Sequence, residues 1–309
     1  MKYAIVDLGS NTIRLSVYRV LPEGGFDLLF SEKEMAGLVN YISDGILSEA
    51  GILRACAALL NFRETLGQLG IEAMRVFATA SLRNIRNTEE AVEEIRRRTG
   101  AEVEVISGDL EAELGYYGAL QTLNLRDGAM FDIGGGSTEL VEVRDGRILR
   151  AQSLPMGSLN LFNRHVSGIW PKDKELKAMG KTVAAALQAA NLPERKATRV
   201  CGVGGTARAA LKIANVWYQR PAQERRLTPK QLDKLAKRLL ERDEKARKLV
   251  LNVCPDRVHT ILPGILLMNA VCGALCGEEL YISQYGVREG YLYRRLLREG
   301  TGARTGETP

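Results

Sequence analysis

The sequence predicts an α/β protein built from two similar domains, each a mixed β-sheet with flanking helices. One observation is an apolar strand that ends in a carboxylate and three glycines, Phe131-Asp132-Ile133-Gly134-Gly135-Gly136-Ser137-Thr138-Glu139. A second is that the same pattern occurs about 125 residues earlier, as Ala4-Ile5-Val6-Asp7-Leu8-Gly9-Ser10-Asn11-Thr12. Each copy continues into further alternating strands and then into segments with helical periodicity. Two meanders that open alike indicate a duplicated domain.

The first half is predicted to open with a three-stranded meander. The strand that ends at Asp7 is followed by alternating apolar residues over 13–17, and the turn at 22–25 leads into a third strand. Ser48 is placed to cap the long helix that comes next, because its hydroxyl can accept a hydrogen bond from an unpaired N–H of the first turn.

The rest of the first half alternates strands with helices. In order, the predicted elements are a strand (74–78), a helix capped by Thr88 and ended by Gly100, a strand (102–106), and a helix capped by Asp109 (110–122). The turn at 124–128 leads into the second copy. We therefore place the first domain at residues 1–124.

The second domain is placed at residues 125–299. Its predicted elements are the Asp132 meander, helices over 159–166 and 172–190, a strand over 199–203, a helix that opens at Gly204-Gly205-Thr206, helices over 229–253 and 259–275, a strand over 280–283, and a helix from Arg288. Residues 300–309 are polar and predict a disordered tail. No low-complexity linker divides the halves, so we expect them to pack face to face across a cleft.

Composition limits the classes of partner. The net charge of +6 makes nucleic acid a candidate partner. However, the basic residues of 230–248 alternate with leucines at helical spacing, and no aromatic residue is interleaved. A solvated helix face is therefore favoured over a nucleic-acid site. Five cysteines without paired spacing and only two histidines disfavour a zinc or disulfide framework. The apolar run 261–276 contains Pro263 and predicts a buried core helix, not a membrane span. No secretory leader precedes the first strand, which favours a cytoplasmic protein.

The glycine run after Asp132 predicts a phosphate site. Glycines let backbone N–H groups approach an anion and tolerate the backbone angles of such a turn. Phosphate repels a carboxylate, so Asp132 is expected to hold a divalent cation, or a water bound to one, that bridges to phosphate oxygens. Taken alone, the run is equally compatible with a tight hairpin turn. The second copy at Asp7 favours the phosphate site.

These motifs resemble the actin, Hsp70 and sugar kinase superfamily, and within it the exopolyphosphatase and guanosine pentaphosphate phosphohydrolase (Ppx/GppA) family. The resemblance covers the chain nearly end to end and implies duplicated actin-like (ribonuclease H-like) domains around a central cleft. The matching segments are Asp7-Leu8-Gly9-Ser10-Asn11, Ala78-Thr79-Ala80-Ser81-Leu82-Arg83, Ile106-Ser107-Gly108 with Glu111-Ala112, Asp132 to Glu139, Leu154-Pro155-Met156-Gly157, Gly202 to Thr206, and Ser283 with Gly286-Val287-Arg288-Glu289-Gly290.

The resemblance implies a hydrolase of the terminal phosphoanhydride of inorganic polyphosphate, or of the 5′ phosphate of guanosine pentaphosphate (pppGpp), with Mg²⁺ or another divalent cation. Glu111 matches the family's catalytic base, which accepts a proton from the attacking water. Without the family match, Glu111 is interpreted as a first-turn carboxylate that complements the helix dipole. A homodimer is common in the family, and no interface can be identified in the sequence.

The other candidate residues are phosphate ligands and metal ligands. Arg83 matches a family arginine and can clamp a phosphate with two parallel hydrogen bonds, whereas Arg86 is interpreted as a surface arginine. The predicted phosphate-binding residues are Ser10, Asn11, Arg83, Gly134, Gly135, Ser137, Thr138, Gly204, Gly205 and Thr206. The predicted metal ligands are Asp132 and Glu139, with Asp7 as a further candidate. An exposed strand position is the alternative interpretation of Glu139.

The sequence departs from the family in three respects. Leu110 stands where many relatives carry a second acidic residue, and residues 37–39 lack the usual Arg-Leu-Gly. The sequence also ends where larger members of the family continue into a helical HD-like domain, so we expect reduced processivity on long polyphosphate. Two other functions stay open. An ATP-dependent small-molecule kinase of the same superfamily would bind adenosine near Gly204 and Gly205, and the missing acid at Leu110 would suit a non-catalytic polyphosphate or alarmone sensor.

Overall fold

The computed structural model describes residues 1–22 and 25–298. The predicted tail, 300–309, and two residues of the predicted turn at 22–25 lie outside the described residues. Contacts divide the chain into two compact units, Met1–Gly108 with the described residues from Arg295 onward, and Asp109–Arg294. The helix after Gly108, which the sequence analysis places in the first domain, thus groups with the second unit. The domain limits 1–124 and 125–299 stay a prediction.

The first unit contains a five-stranded mixed sheet. Its elements are β1 (Lys2–Leu8), β2 (Ile13–Val20), β3 (Phe26–Glu34), a 3₁₀ turn (Leu38–Tyr41), the short strands β4 (Ile42–Ser43) and β5 (Ile46–Leu47), α1 (Glu49–Gln68), β6 (Met74–Ala78), α2 (Ala80–Arg83), α3 (Thr88–Thr99) and β7 (Val103–Val105). The strand order is β3-β2-β1-β6-β7. The first three strands are antiparallel, and β6 and β7 run parallel to β1.

Two of the three helix-end predictions in this unit are confirmed. The Ser48 side chain accepts a hydrogen bond from the N–H of Gly51, and Gly100 ends α3 in the left-handed conformation with φ 65°. Thr88 as the cap of α3 is wrong, because Asn87 holds that position. The Thr88 hydroxyl instead donates to the Leu82 carbonyl at 2.6 Å, which ties α3 to α2.

The second unit contains a six-stranded mixed sheet. The elements of this unit are α4 (Gly108–Ala119), β8 (Gly128–Ile133), β9 (Thr138–Arg144), β10 (Arg147–Leu154), α5 (Ser158–His165), α6 (Asp173–Ala189), β11 (Ala197–Val203), α7 (Gly204–Trp217), β12 (Arg226–Leu227), α8 (Pro229–Leu240), α9 (Glu244–Val253), a 3₁₀ turn (Pro255–Arg257), α10 (Ile261–Leu275), β13 (Cys276–Ile282) and α11 (Val287–Tyr291). A π-helical segment (Leu292–Arg298) follows, of which the residues up to Arg294 belong to this unit. The order β10-β9-β8-β11-β13-β12 repeats the topology of the first sheet and adds one short strand. The predicted mixed sheets with flanking helices are therefore confirmed.

The helix predicted over 229–253 is wrong in one respect, because it is two helices. The chain breaks at Arg242, which has a left-handed φ of 56°. Asp243 then caps α9 by accepting a hydrogen bond from the Ala246 N–H at 2.8 Å. The residues at the break, Glu241-Arg242-Asp243, include no glycine or proline, so the usual sequence signal of a helix end is missing there.

Each face of the second sheet packs against a different set of helices. Phe131 and Ile133 belong to the large core that α10 completes, which confirms the predicted buried helix there. Met130, on the opposite face, packs with Ala112 and Tyr116 of α4. Among the described residues, no helix combines the length and the apolar character that a bilayer span requires. The cytoplasmic location stays a prediction.

Glycines let α4 and α11 approach closely. A Cβ atom added at Gly118 would overlap the Gly286 carbonyl oxygen, and one added at Gly290 would overlap the Leu114 carbonyl oxygen. The two backbones are therefore in contact where larger side chains would separate them. This contact fixes the position of α4, which carries Glu111, on the sheet.

We expect Gly290→Ala to lower the free energy of unfolding by about 1–3 kcal/mol or more, because the added methyl group cannot fit beside the Leu114 backbone. The matched control is Gly180→Ala in α6, where nothing lies within 4 Å of the added Cβ. That variant should gain about 0.5–1 kcal/mol from reduced chain entropy. Urea unfolding of both variants checks the pair, and equal stabilities would contradict the packing described.

Candidate active site

The glycine loop of the second unit joins β8 to β9 through a closed turn. The Gly134 N–H donates to the Ser137 carbonyl at 3.0 Å. Asp132 is the penultimate residue of β8 and stands directly opposite Glu139 across the antiparallel pair. The turn therefore places a carboxylate at the strand end and three glycines beyond it, as predicted.

The first turn of α5 holds the carbonyl groups of this loop. The Ser158 N–H donates to the Gly134 carbonyl at 2.9 Å. The N–H groups of Leu159 and Asn160 donate to the Gly135 carbonyl at 2.9 and 3.1 Å. These are donors that a helix start leaves without partners inside the helix. Loop and helix start thus satisfy each other's backbone groups.

The approach of α5 to the loop requires glycine at its cap. A Cβ atom at Gly157 would lie 2.5 Å from the Gly135 carbonyl oxygen. The buried Thr138 hydroxyl donates to the Met156 carbonyl at 2.6 Å, which holds the segment before the cap. The predicted phosphate ligand Thr138 therefore uses its hydroxyl to support the loop.

Asp132 lies between the starts of two helices. A Cβ atom at Gly204, the first residue of α7, would overlap the Asp132 carboxylate, and one at Gly286, just before α11, would lie 4.0 Å from its other oxygen. Gly204 has φ 85°, a backbone conformation that residues with a side chain rarely adopt. The positive ends of helix dipoles favour a carboxylate at such a place. The structure thus brings Asp132, Gly204 and the glycine loop to one sheet edge.

Glu139 is buried, with only 1% of its surface exposed, so the alternative of an exposed strand position is wrong. The Ser153 hydroxyl of β10 donates to its carboxylate at 2.7 Å. Residues directly opposite each other on antiparallel strands point to the same face of the sheet. Glu139 and Asp132 therefore share a face, with Ser153 as a polar support for Glu139.

Glu111 lies in the first turn of α4, on the same sheet face, and is 8% exposed. Met130, two residues before Asp132, packs against Gly115, which lies one turn after Glu111. The Tyr116 hydroxyl donates to the Leu125 carbonyl near the opposite end of β8. The N-terminal turn of α4 is therefore directed toward the strand end that carries Asp132.

Arg257 also lies beside the second unit's glycine residues, and no sequence pattern indicated it. A Cβ atom at Gly205 would overlap its guanidinium group, so Arg257 lies directly over the start of α7. The buried Thr206 packs on Gly264 of α10, where an added Cβ would lie 2.6 Å from the Thr206 methyl carbon. Arg257 is about 50 residues away in sequence and no motif surrounds it. In the sequence, Arg257 is distinguished only by its place between the segments that form α9 and α10.

The first unit repeats the turn. The Gly9 N–H donates to the Thr12 carbonyl at 3.1 Å, with the same spacing as in the second unit. The carbonyls of Ser10 and Asn11 accept hydrogen bonds from N–H groups of residues 37–39 at 3.1 and 2.9 Å. The predicted duplication therefore extends to the hydrogen bonds of the two loops.

Arg83 is the last residue of α2, which corrects its predicted place in a loop. One of its guanidinium nitrogens donates to the Ile106 carbonyl at 3.3 Å. The buried Ser81 hydroxyl donates to the Leu8 carbonyl, at the start of the Ser10 loop. Asp7 lies opposite Arg14 in the β1–β2 pair. The first unit thus contains its own group of predicted ligands.

Burial keeps the thiol nearest to Asp132 protonated. It raises the pKa of the Cys201 thiol, close to Asp132, to about 12, so this thiol is neutral at physiological pH. Burial also lowers the pKa of both histidines, His165 and His259. Cys201 therefore does not provide a thiolate beside Asp132.

The carboxylates suit a cation that also binds phosphate. Across residues 1–22 and 25–298, no group of three or more His, Cys, Asp or Glu side chains is placed to hold a metal ion. Mg²⁺ commonly takes one or two carboxylates and completes its coordination with waters and substrate phosphates. The partly exposed Asp132 fits that pattern, whereas Glu139 is buried and bonded to Ser153.

Comparison with known proteins places this geometry in a family. A sequence model of the Ppx/GppA phosphatase family matches residues 16–299. A Haemophilus influenzae protein named "Putative exopolyphosphatase" is 25% identical over 294 residues, which are 94% of this chain and 90% of that protein.

Two solved structures share the fold along nearly the whole chain. An exopolyphosphatase from Cytophaga hutchinsonii superposes with a TM-score of 0.83 at 23% identity and covers 96% of this chain and 98% of its own. The Aquifex aeolicus member of the Ppx/GppA family superposes with a TM-score of 0.77 at 25% identity and covers 97% and 98%. The predicted duplicated actin-like fold is therefore confirmed.

Proposed function

The chain belongs to the Ppx/GppA phosphatase family, and we propose that it hydrolyses the terminal phosphoanhydride of inorganic polyphosphate, of guanosine pentaphosphate, or of both. The observation that supports the proposal is the glycine loop, whose carbonyls accept hydrogen bonds from the first turn of α5. The helix turn that carries Glu111 is directed toward the same edge of the sheet. Both substrates present the same terminal phosphate to such a site. The exopolyphosphatase name of the Haemophilus and Cytophaga relatives supports polyphosphate.

In the proposed reaction, the chain's own groups bind the terminal phosphate and activate water. The Ser10, Asn11 and Arg83 side chains are the proposed phosphate ligands of the first unit. In the second unit, backbone N–H groups of the glycine loop bind phosphoryl oxygens, where they stabilise the charge of the transition state. Arg257 joins this set as a guanidinium at the start of α7. Glu111 accepts a proton from the attacking water as the water oxygen forms a bond to the terminal phosphorus. The bond between that phosphorus and the bridging oxygen breaks, so orthophosphate is released and the shortened substrate leaves with the bridging oxygen.

Asp132 is the proposed carboxylate ligand for Mg²⁺, with Asp7 as a candidate in the first unit. When bound, such a cation neutralises phosphate charge and orients the leaving oxygen. Glu139, which stands opposite Asp132 on the neighbouring strand, stays the second proposed ligand, and the Ser153 hydroxyl holds its carboxylate with a hydrogen bond.

We expect Glu111→Gln to lower kcat for phosphate release from tripolyphosphate by about 10²–10⁴-fold, because the amide cannot accept the proton of water. Its melting temperature should stay near that of the unmodified protein. The matched control is Glu113→Gln on the same helix, which should retain activity. A colorimetric phosphate assay measures all three proteins, and full activity in Glu111→Gln would overturn the assignment of the base.

We expect removal of divalent cations by EDTA to abolish phosphate release and added Mg²⁺ to restore it. Asp132→Asn should raise the Mg²⁺ concentration for half-maximal activity by about tenfold or more, since a charged ligand is lost. Asp127→Asn, just before the other end of β8, is the matched control. Mn²⁺ binding followed by electron paramagnetic resonance provides a readout without turnover. Equal Mn²⁺ affinity in the two variants would exclude Asp132 as a ligand.

A further inference from the structure

The hydrogen bonds of the glycine loop determine where its N–H groups point. None of the described peptide bonds is cis, and in a trans peptide the carbonyl and the following N–H point in opposite directions. The carbonyls of Gly134 and Gly135 point to the first turn of α5. The N–H groups of Gly135 and Gly136 therefore point away from α5.

The third peptide of the loop depends on one side chain. The Asn160 side-chain amide nitrogen donates to the Gly136 carbonyl at 2.9 Å. Its amide oxygen accepts the N–H of Gly157, the cap of α5, at 2.7 Å. By the same trans geometry, the N–H of Ser137 then points away from α5. Among the described residues, no hydrogen-bond acceptor contacts the N–H groups of Gly135, Gly136 or Ser137.

Three successive N–H groups that point to one side form a site for an anion. Two of the peptides are held by backbone donors of α5, which any residue could supply. The Gly136–Ser137 peptide is held by the Asn160 side chain, and glycine at 136 lets that peptide rotate at little steric cost. Asn160 therefore decides whether the third N–H of the site is available.

We propose that Asn160 is a positioning residue for phosphate binding, since it holds the Gly136–Ser137 peptide with its N–H toward the substrate. The inference rests on the proposed function for its ligand, a terminal phosphate. Asn160 contacts the loop from the α5 side and does not need to touch substrate. Its loss should weaken phosphate binding without removing the base, Glu111.

The test uses Asn160→Ala and Asn160→Asp in the full chain, with tripolyphosphate as the probe. The alanine variant loses every hydrogen bond of the Asn160 side chain. The aspartate variant keeps an acceptor for the Gly157 N–H and loses the amide donor, which bonds the Gly136 carbonyl at 2.9 Å and the Pro155 carbonyl at 3.5 Å. Asn252→Ala, an exposed asparagine on α9, is the matched control. Calorimetry measures binding, steady-state kinetics separate KM from kcat, and thermal melting reports folding.

We expect both Asn160 variants to bind tripolyphosphate about tenfold more weakly, the effect of losing one well-placed hydrogen bond to a charged ligand. KM should rise more than kcat falls. Asn160→Asp should melt near the unmodified protein, and its deficit should persist at about 1 M salt, where charge repulsion between exposed groups is largely screened. Asn252→Ala should be unchanged.

Unchanged affinity in both Asn160 variants would overturn the positioning role. So would lower stability in the alanine variant with full affinity in the aspartate variant, because that pattern indicates a helix cap only. If the unmodified protein binds tripolyphosphate but does not hydrolyse it, the proposed function fails and the affinities still decide the role of Asn160. If it neither binds nor hydrolyses tripolyphosphate, both proposals are overturned.

Discussion

The hydrogen bonds between the first turn of α5 and the carbonyls of Gly134, Gly135 and Gly136 are the constraint on which the second unit's site depends. A helix start has donors without partners, and a loop of glycines has carbonyls without partners. Their pairing satisfies both sets and leaves the loop N–H groups directed the other way. The N–H groups that point away from α5 form the anion site, because the carbonyls of the same peptides cap the helix start.

The two units share this turn and differ in what surrounds it. Gly9 and Gly134 close their loops with the same hydrogen bond, at 3.1 and 3.0 Å. In the first unit, backbone N–H groups of residues 37–39 hold the loop, where the second unit uses a helix start. The position opposite the strand-end carboxylate is Arg14 in one and Glu139 in the other. The same turn is thus surrounded by different charges in the two units.

Sequence patterns predicted most of the fold, because strand alternation, capping residues and the repeated Asp-x-Gly turn are local signals. The glycine loop was predicted from its own residues, whereas Glu111 was singled out through resemblance to a family, and its role as the base stays a proposal. Sequence patterns missed Arg257 and Asn160, because these residues reach the site through tertiary contacts that no local spacing reports. The burial of Glu139 could not be inferred either, since it depends on Ser153 of the next strand. The break at Arg242 was missed because no glycine or proline marks it and a left-handed arginine has no local sequence signal.

The most direct measurement is a titration of ¹⁵N-glycine-labelled protein with tripolyphosphate and Mg²⁺, followed by the amide signals of individual glycines. We expect the signals of Gly135 and Gly136 to shift in proportion to bound ligand, while the signals of Gly67 and Gly70, outside the site, do not move. If tripolyphosphate saturates the protein and the Gly135 and Gly136 amide signals stay unchanged, the loop does not present its N–H groups to phosphate.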